Sequence, residues 1–263
     1  MAERLSFFIP RESLIHRANP LTKLTLVFAT VIVAFVSPWY WTAFFLIWVN
    51  VFLAAAGKVQ REYLKIVWRL LLPVVGFLFV MQGLFLPYGG EELLSFWFLS
   101  LTVGNIQAAF LNATRIFVMV SSFILFILCT HPSELMSDLA RRGVPAQLAY
   151  VVVSTLQILP QMRTKANMII DAQRSRGLET QGSFRRRVGA LLPLVGPLVF
   201  GSLVEVEERA IAIEARAFAS KMPKTSLRVI SDTTLDRITR WGLVLFVLLI
   251  IAGRIWLWLV SRM

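Results

Sequence analysis

The stretch WGLVLFVLLIIAGRIWLWLV, residues 241–260, decides the class of fold. Arg254 is its one charged residue, and every other position is apolar or glycine. At about 1.5 Å per residue, a helix of this length spans about 30 Å, the thickness of the hydrocarbon core of a bilayer. Trp256 and Trp258 lie near its end, where aromatic side chains favour the membrane interface. The stretch therefore predicts a membrane-spanning helix.

Four further stretches are apolar enough to cross a bilayer, at residues 21–36, 39–56, 70–88 and within 106–129. The first would span only about 24 Å as a helix, so we expect Lys23 near its start to snorkel toward water. The second opens with the aromatic run Trp39-Tyr40-Trp41. The sequence therefore predicts an all-α polytopic integral membrane protein with about five transmembrane helices.

The composition supports a membrane protein and argues against a soluble one. Of the 263 residues, 57% are hydrophobic and 16% are charged, and the mean hydropathy is +0.70. A soluble domain is about 25% charged. The net charge of +12 does not indicate a nucleic-acid-binding protein, because 20 Phe and 8 Trp lie largely in long apolar runs. We expect the lipid bilayer as a partner and no nucleic acid.

The distribution of basic residues predicts the orientation. Basic residues lie before the first span, between the second and third, and after the fourth, whereas residues 87–105 contain none. Under the positive-inside rule, this pattern places the N-terminus on the cytoplasmic side of the cell (inner) membrane.

Residues 130–240 differ from the rest of the chain. They hold 16 of the 27 basic and 10 of the 15 acidic residues, and their apolar runs are short. We therefore expect an N-terminal membrane domain of four spans at 1–129, a cytoplasmic or interfacial region of amphipathic helices at 130–240, and a C-terminal transmembrane helix at 241–263.

Two amphipathic helices are predicted within this middle region. One has a polar stripe between Met162 and Arg176. The other has apolar positions spaced 3, 4, 3 and 4 residues apart, at Leu203, Val206, Ala210, Ile213 and Ala217.

Both amphipathic helices end in an arginine between two small residues, as Ser175-Arg176-Gly177 and Ala215-Arg216-Ala217. For one helix alone, the arginine could simply complement the helix dipole, and Gly177 could be an ordinary C-terminal stop. The repetition of the pattern about 40 residues later argues against this simple explanation. An arginine presents a planar, permanently charged fork that can pair bidentately with a carboxylate.

This pattern resembles the T component, the transmembrane coupling subunit of energy-coupling-factor (ECF) importers of vitamins and metal ions. The resemblance implies that residues 130–240 form the coupling-helix region, with two helices that each end in an Ala-Arg-Gly-type motif. It implies that Arg176 and Arg216 dock into two ABC-type ATPases, which move a substrate-binding membrane (S) subunit. The chain departs from the motif at Ser175, in place of Ala, and at Ala217, in place of Gly.

Other stretches are also similar to that family. They are the opening residues 13–24, with Ser13, His16, Pro20 and Lys23, the segment 130–135, and the segment 143–145. Arg115 in the fourth span belongs to the resemblance as well, and it is a possible membrane-embedded charge. The resemblance covers nearly the whole chain.

The residues argue against catalysis, a cofactor and a metal site. One Cys and two His leave little to hold a metal, and neither HExxH nor a phosphate-binding P-loop occurs, so ATP hydrolysis is expected in partner subunits. An intramembrane enzyme is disfavoured because the predicted spans lack Asp, Glu and His at membrane depth. The main alternative is a conventional ABC importer permease that forms the solute pathway itself and uses a single coupling loop within residues 134–160. A passive scaffold would give no reason for two matching arginines.

Overall fold

A computed structural model describes residues 8–85, 92–96, 99–177, 184–218, 220, 222 and 230–261. The helices are α1 Leu14–Arg17, α2 Pro20–Val36, α3 Tyr40–Ala56, α4 Gln60–Phe85, α5 Val103–Cys129, α6 Pro132–Arg141, α7 Ala146–Ser175, α8 Phe184–Ala215 and α9 Thr234–Val260. Two short strands, β1 Glu92–Phe96 and β2 Leu99–Thr102, pair in an antiparallel hairpin before α5. The predicted all-α polytopic fold is confirmed, with this hairpin as an addition.

The chain divides into two compact units. One, here called the membrane unit, comprises Ser6–Arg142 and Val229–Met263. The other, here called the insert unit, comprises Gly143–Arg228 together with Met1–Leu5. The described helices α1 to α6 and α9 belong to the membrane unit, and α7 and α8 belong to the insert unit.

The predicted spans correspond to helices of the membrane unit. Among the described residues, three helices are long and apolar enough to cross a bilayer, over Gln60–Gln82, Val103–Cys129 and Thr234–Val260, and two shorter apolar helices cover Pro20–Val36 and Trp41–Ala56. The third of these helices in chain order, α4, begins ten residues before the predicted span at 70. Residues 86–88 of the predicted span lie outside the described residues.

The early start of α4 follows from a single buried stripe. Val59, Tyr63, Val67 and Leu71 recur every fourth residue and are each at most 1% exposed. They pack against the last turns of α5, including Leu128. The opposite face of α4 is also apolar and exposed, as expected of a helix whose outer surface faces lipid. The stripe already begins at Val59, within a segment that is rich in basic residues. The helix therefore begins at Gln60, before the apolar run.

Small and hydroxyl-bearing residues fill the interfaces among α2, α3 and α5. Ala34 and Ala43 are each 1% exposed, and small residues let membrane helices approach closely. At the same interfaces, Asn50 Nδ2 donates to Ser122 Oγ over 2.8 Å, and Thr30 Oγ1 donates to the same oxygen over 3.1 Å. These bonds satisfy polar groups that would otherwise be costly to bury in hydrocarbon.

Candidate functional site

Both predicted amphipathic helices are the C-terminal parts of longer helices. The helix that ends near Arg176 begins at Ala146 and continues past Pro160, and the helix that ends near Arg216 begins at Phe184 and continues past Pro197. A proline removes one backbone hydrogen bond from a helix and can be accommodated by a kink, so the helical pattern resumes beyond it. The two arginines therefore stand at the ends of helices of 30 and 32 residues.

The end of α7 is sharply defined. Ser175 is the last helical residue, and its hydroxyl donates to the backbone carbonyl of Asp171 over 3.1 Å. Arg176 is the C-cap residue, and Gly177 follows in the left-handed region with φ +90°. The Gly177 N–H donates to the carbonyl of Arg174 over 3.0 Å. Glycine is the residue best suited to this backbone conformation.

The end of α8 repeats this geometry without glycine. Ala215 is the last helical residue, Arg216 follows it, and Ala217 adopts φ +51°. The N–H of Ala217 donates to the carbonyl of Glu214 over 2.8 Å, and the N–H of Phe218 donates to that of Ile213 over 3.2 Å. This pair of bonds defines a Schellman motif, with Arg216 at the C-cap. The two arginines thus occupy equivalent positions, each just before a left-handed residue.

The two arginine tips are exposed. Ser175, Arg176, Gly177, Ala215, Arg216 and Ala217 are all exposed. Within the described part of the chain, neither Arg176 nor Arg216 makes an ion pair or a side-chain hydrogen bond. A charged fork flanked by small residues leaves room for a groove to close around it.

Contacts between α7 and α8 place the two tips at opposite ends of the helix pair. An early residue of α7 contacts a residue just past the end of α8, Tyr150 with Phe218 (ring centroids 5.5 Å apart). Middle residues contact middle residues, as in antiparallel helices: Met162 with Ser202, and Lys165 with Glu205 in an ion pair. Arg216 therefore lies beside the start of α7, and Arg176 lies at its end. From Tyr150 to Arg176, α7 rises about 39 Å. The sequence pattern did not indicate the Tyr150–Phe218 contact.

Arg115 has a structural role in the membrane unit. Its Nε donates to the carbonyl of Ala34 over 3.2 Å, and its Nη2 donates to that of Ser37 over 2.9 Å. The guanidinium also lies 6.0 Å from the ring centroid of Phe35. Carbonyls at the end of a helix lack partners within the helix, so this residue of α5 caps the C-terminus of α2.

Lys23 does not snorkel, contrary to the prediction. It is 8% exposed, and its Nζ donates to the carbonyl of Cys129 over 2.9 Å and to that of His16 over 3.1 Å. The expectation was wrong because the end of α5 and the end of α1 supply acceptors that the sequence does not show. Lys23 thereby joins three helices at one end of the membrane unit.

The side chains of the two histidines, His16 and His131, form hydrogen bonds with backbone groups. His16 Nε2 donates to the carbonyl of Ile9 over 3.0 Å, and its Nδ1 lies 2.8 Å from Ser13 Oγ. Burial lowers the pKa of His16 below its ordinary value. His131 caps α6 by accepting from the N–H of Ser133 over 3.2 Å. Among the described residues, no group of three or more His, Cys, Asp or Glu side chains could hold a metal ion.

The chain is similar to known membrane transport proteins. The family of CbiQ cobalt transport proteins matches residues 11–227. An energy-coupling factor transporter transmembrane protein, EcfT, from Leuconostoc gelidum subsp. gasicomitatum is 30% identical, over 95% of this chain and 96% of its own. The EcfT of Limosilactobacillus fermentum is 28% identical, over 94% and 96%. The EcfT of Thermanaerovibrio acidaminovorans is 30% identical, over 85% and 86%.

The matched region includes the four apolar helices α2 to α5, the cap residue Arg115 and both arginine tips. The relatives extend the similarity over most of the chain and of their own lengths. The chain therefore belongs to the CbiQ family, as a T component, the transmembrane subunit of an energy-coupling-factor transporter in the cell membrane.

Proposed function

We propose that this chain transmits ATP-driven motion from a pair of ABC-type ATPases to a substrate-binding membrane subunit, for the uptake of a vitamin or a metal ion. Arg176 and Arg216 are the ATPase-docking residues. Ser175, Gly177, Ala215 and Ala217 shape the helix ends that present them. The chain hydrolyses no ATP, and the substrate is chosen by the other membrane subunit.

The observation that carries this proposal is the matched geometry of the two tips. Each arginine follows the last helical residue of a long helix, precedes a left-handed residue and is exposed. A separation of about 39 Å along α7 is too large for one groove and suits two separate partner domains. A helix of 30 residues passes a displacement at its end along its length, because its backbone hydrogen bonds are internal.

The chemistry of the tips predicts that of the partner. An exposed guanidinium pairs best with a carboxylate that meets it edge-on, so each ATPase is expected to offer an acidic residue in a groove. Because ATPases are cytoplasmic, docking also requires the two tips on the cytoplasmic side. This agrees with the orientation inferred from the basic residues, which places the N-terminus in the cytoplasm.

The proposal is tested by affinity co-purification of the ATPase pair with the membrane-inserted chain. The variants are Arg176→Glu, Arg216→Glu and the double variant. Each single reversal should weaken retention, because it places a carboxylate against a carboxylate. The double variant should lose the ATPases while still inserting into the membrane.

Arg163→Glu is the matched control. Arg163 is an exposed arginine of α7, so its reversal changes the net charge equally while leaving both tips intact. Retention equal to wild type is expected for this control. If the inserted double variant still holds both ATPases, the arginines are helix caps only and the docking assignment fails.

A further inference from the structure

The main segment of the insert unit, Gly143–Arg228, is joined to the membrane unit at both of its ends. The chain leaves the membrane unit after Arg142 and returns to it at Val229. The residues that flank these two points, all within the membrane unit, are bonded to each other. Arg141 Nη1 donates to the carbonyl of Ile230 over 2.8 Å, and Arg142 Nη2 donates to Asp232 Oδ2 over 3.0 Å. These four residues are here called the clamp.

The clamp is anchored on two helices of the membrane unit. Arg142 Nε lies 3.5 Å from Asp138 Oδ2 in α6, and the Asp138 side chain is 3% exposed. Both carboxylate oxygens of Asp232 accept from Arg240 Nη2 of α9, over 2.8 and 2.9 Å. This hydrogen bond, supported by the charges of Arg240, Arg142 and Arg237, holds the pKa of Asp232 below its ordinary range. The carboxylate is therefore ionised at neutral pH.

From Arg240 the network reaches the starts of α2 and α9. Arg240 Nη1 donates to Asn19 Oδ1 over 3.4 Å, and the N–H of Asn19 donates to Asp236 Oδ1 over 3.2 Å. Asn19 is fully buried, and its side chain caps α2 by accepting from the N–H of Leu21. A displacement of the clamp is thus passed through side-chain bonds to the ends of two membrane helices.

The connection from the clamp to α7 is short and constrained. Only three residues, Gly143, Val144 and Pro145, separate Arg142 from the first helical residue of α7. Gly143 has φ +112°, a conformation that residues with a Cβ rarely adopt, and Pro145 fixes its own φ. Three residues span at most about 11 Å, so α7 cannot move farther than this from Arg142 without pulling on it.

We propose that Arg142 and Asp232 are positioning residues for coupling and that the clamp is the point at which motion of α7 enters the membrane unit. This inference rests on the proposed function. Because the clamp joins the end of α6 to the segment before α9, a displacement of α7 that reaches Arg142 also reaches the starts of α2 and α9. Breaking the clamp uncouples the complex: the ATPases bind and hydrolyse ATP, and the membrane helices no longer respond.

The test uses the complex with its ATPase pair in nanodiscs and needs no transported substrate. A bimane fluorophore is attached to Leu235→Cys, at a position 74% exposed and adjacent to Asp236 in α9. The native Cys129 is buried and will not react. Three quantities are measured: ATPase retention, the ATP hydrolysis rate and the ATP-dependent change in bimane emission.

In Arg142→Gln, in Asp232→Asn and in the double variant, retention and hydrolysis should persist while the emission change falls at least about five-fold. The bond between Arg142 and Asp232 is lost in all three variants, whereas Arg142→Gln also removes the ion pair with Asp138 and Asp232→Asn weakens the bonds from Arg240. The matched control is Arg11→Gln, which removes a 2.8 Å ion pair with Glu62 in the same unit and should leave the emission change intact.

A full emission change in the clamp variants, an equal loss in the control, or no ATP-driven change in the wild type would overturn the inference. If the clamp variants do not assemble with the ATPases, the inference is tested instead by inserting Gly-Ser-Gly between Arg142 and Gly143. This insertion leaves the clamp bonds in place and lengthens the connector, so it should abolish the emission change; a full change would refute the proposal. Failure of ATPase docking is seen separately, as loss of retention in the wild type.

Discussion

Ala217 offers a direct energetic test of the helix ends described above. It adopts φ +51°, which costs a residue with a Cβ about 1–2 kcal/mol relative to glycine. Replacing it by glycine removes this cost and adds about 0.4–1 kcal/mol of chain entropy to the unfolded state. Ala217→Gly should therefore stabilise the end of α8 by about 0.5–1 kcal/mol.

The assay is amide hydrogen exchange at Phe218, whose N–H closes the Schellman motif on Ile213 over 3.2 Å. After correction for intrinsic rates, exchange should slow about two- to five-fold in Ala217→Gly. The control is Ala215→Gly, the same substitution at the last helical residue, which should speed exchange because glycine costs about 1 kcal/mol inside a helix. Changes in the same direction for both variants would refute the left-handed assignment of Ala217.

Three further predictions concern the membrane unit. Ser122→Ala leaves Asn50 without its 2.8 Å acceptor, so the free energy of unfolding should fall by about 1 kcal/mol, seen as a lower melting temperature in detergent. Burial lowers the pKa of His16, so its folded form favours the neutral ring; thermal stability should fall as the pH drops below about 6.5, and His16→Gln should flatten this part of the profile. Arg115→Leu leaves two carbonyls at the end of α2 unpaired and should destabilise by about 1–3 kcal/mol in the same assay, whereas Arg115→Lys should recover part of the loss.

The membrane helices could be predicted from the sequence because hydrocarbon imposes one simple demand, a run of about 20 apolar residues. The helix boundary and the side-chain position that were predicted wrongly are both set by packing. The helix α4 begins at Gln60 because Tyr63 and Val67 continue a buried stripe through a basic segment, where apolar run length gives no signal. Lys23 was expected at the surface because one of its two carbonyl acceptors, that of Cys129, lies 106 residues away in the chain.

In the candidate site, too, some features could be predicted from the sequence and others could not. The two small-Arg-small motifs could be found by inspection, since they recur at the ends of helices with a clear polar and apolar periodicity. Their placement at opposite ends of the α7–α8 pair could not, because it depends on contacts such as Tyr150 with Phe218, which are 68 residues apart. The clamp was missed for a similar reason: Arg142 and Asp232 are 90 residues apart.

The bond from the N–H of Asn19 to Asp236 links residues 217 positions apart, and it joins the first apolar helix to the last. At a synthesis rate of about 5–20 residues per second, α2 waits about 10–40 s on the ribosome for the partner of its first turn. During that interval Lys23 of α2 can already bond to His16 and Cys129, but the bond from Asn19 to Asp236 cannot form. The closing of the membrane unit is therefore a late event in biogenesis, and a chain that stops before α9 leaves α2 exposed to the proteases and chaperones that remove unfinished membrane proteins.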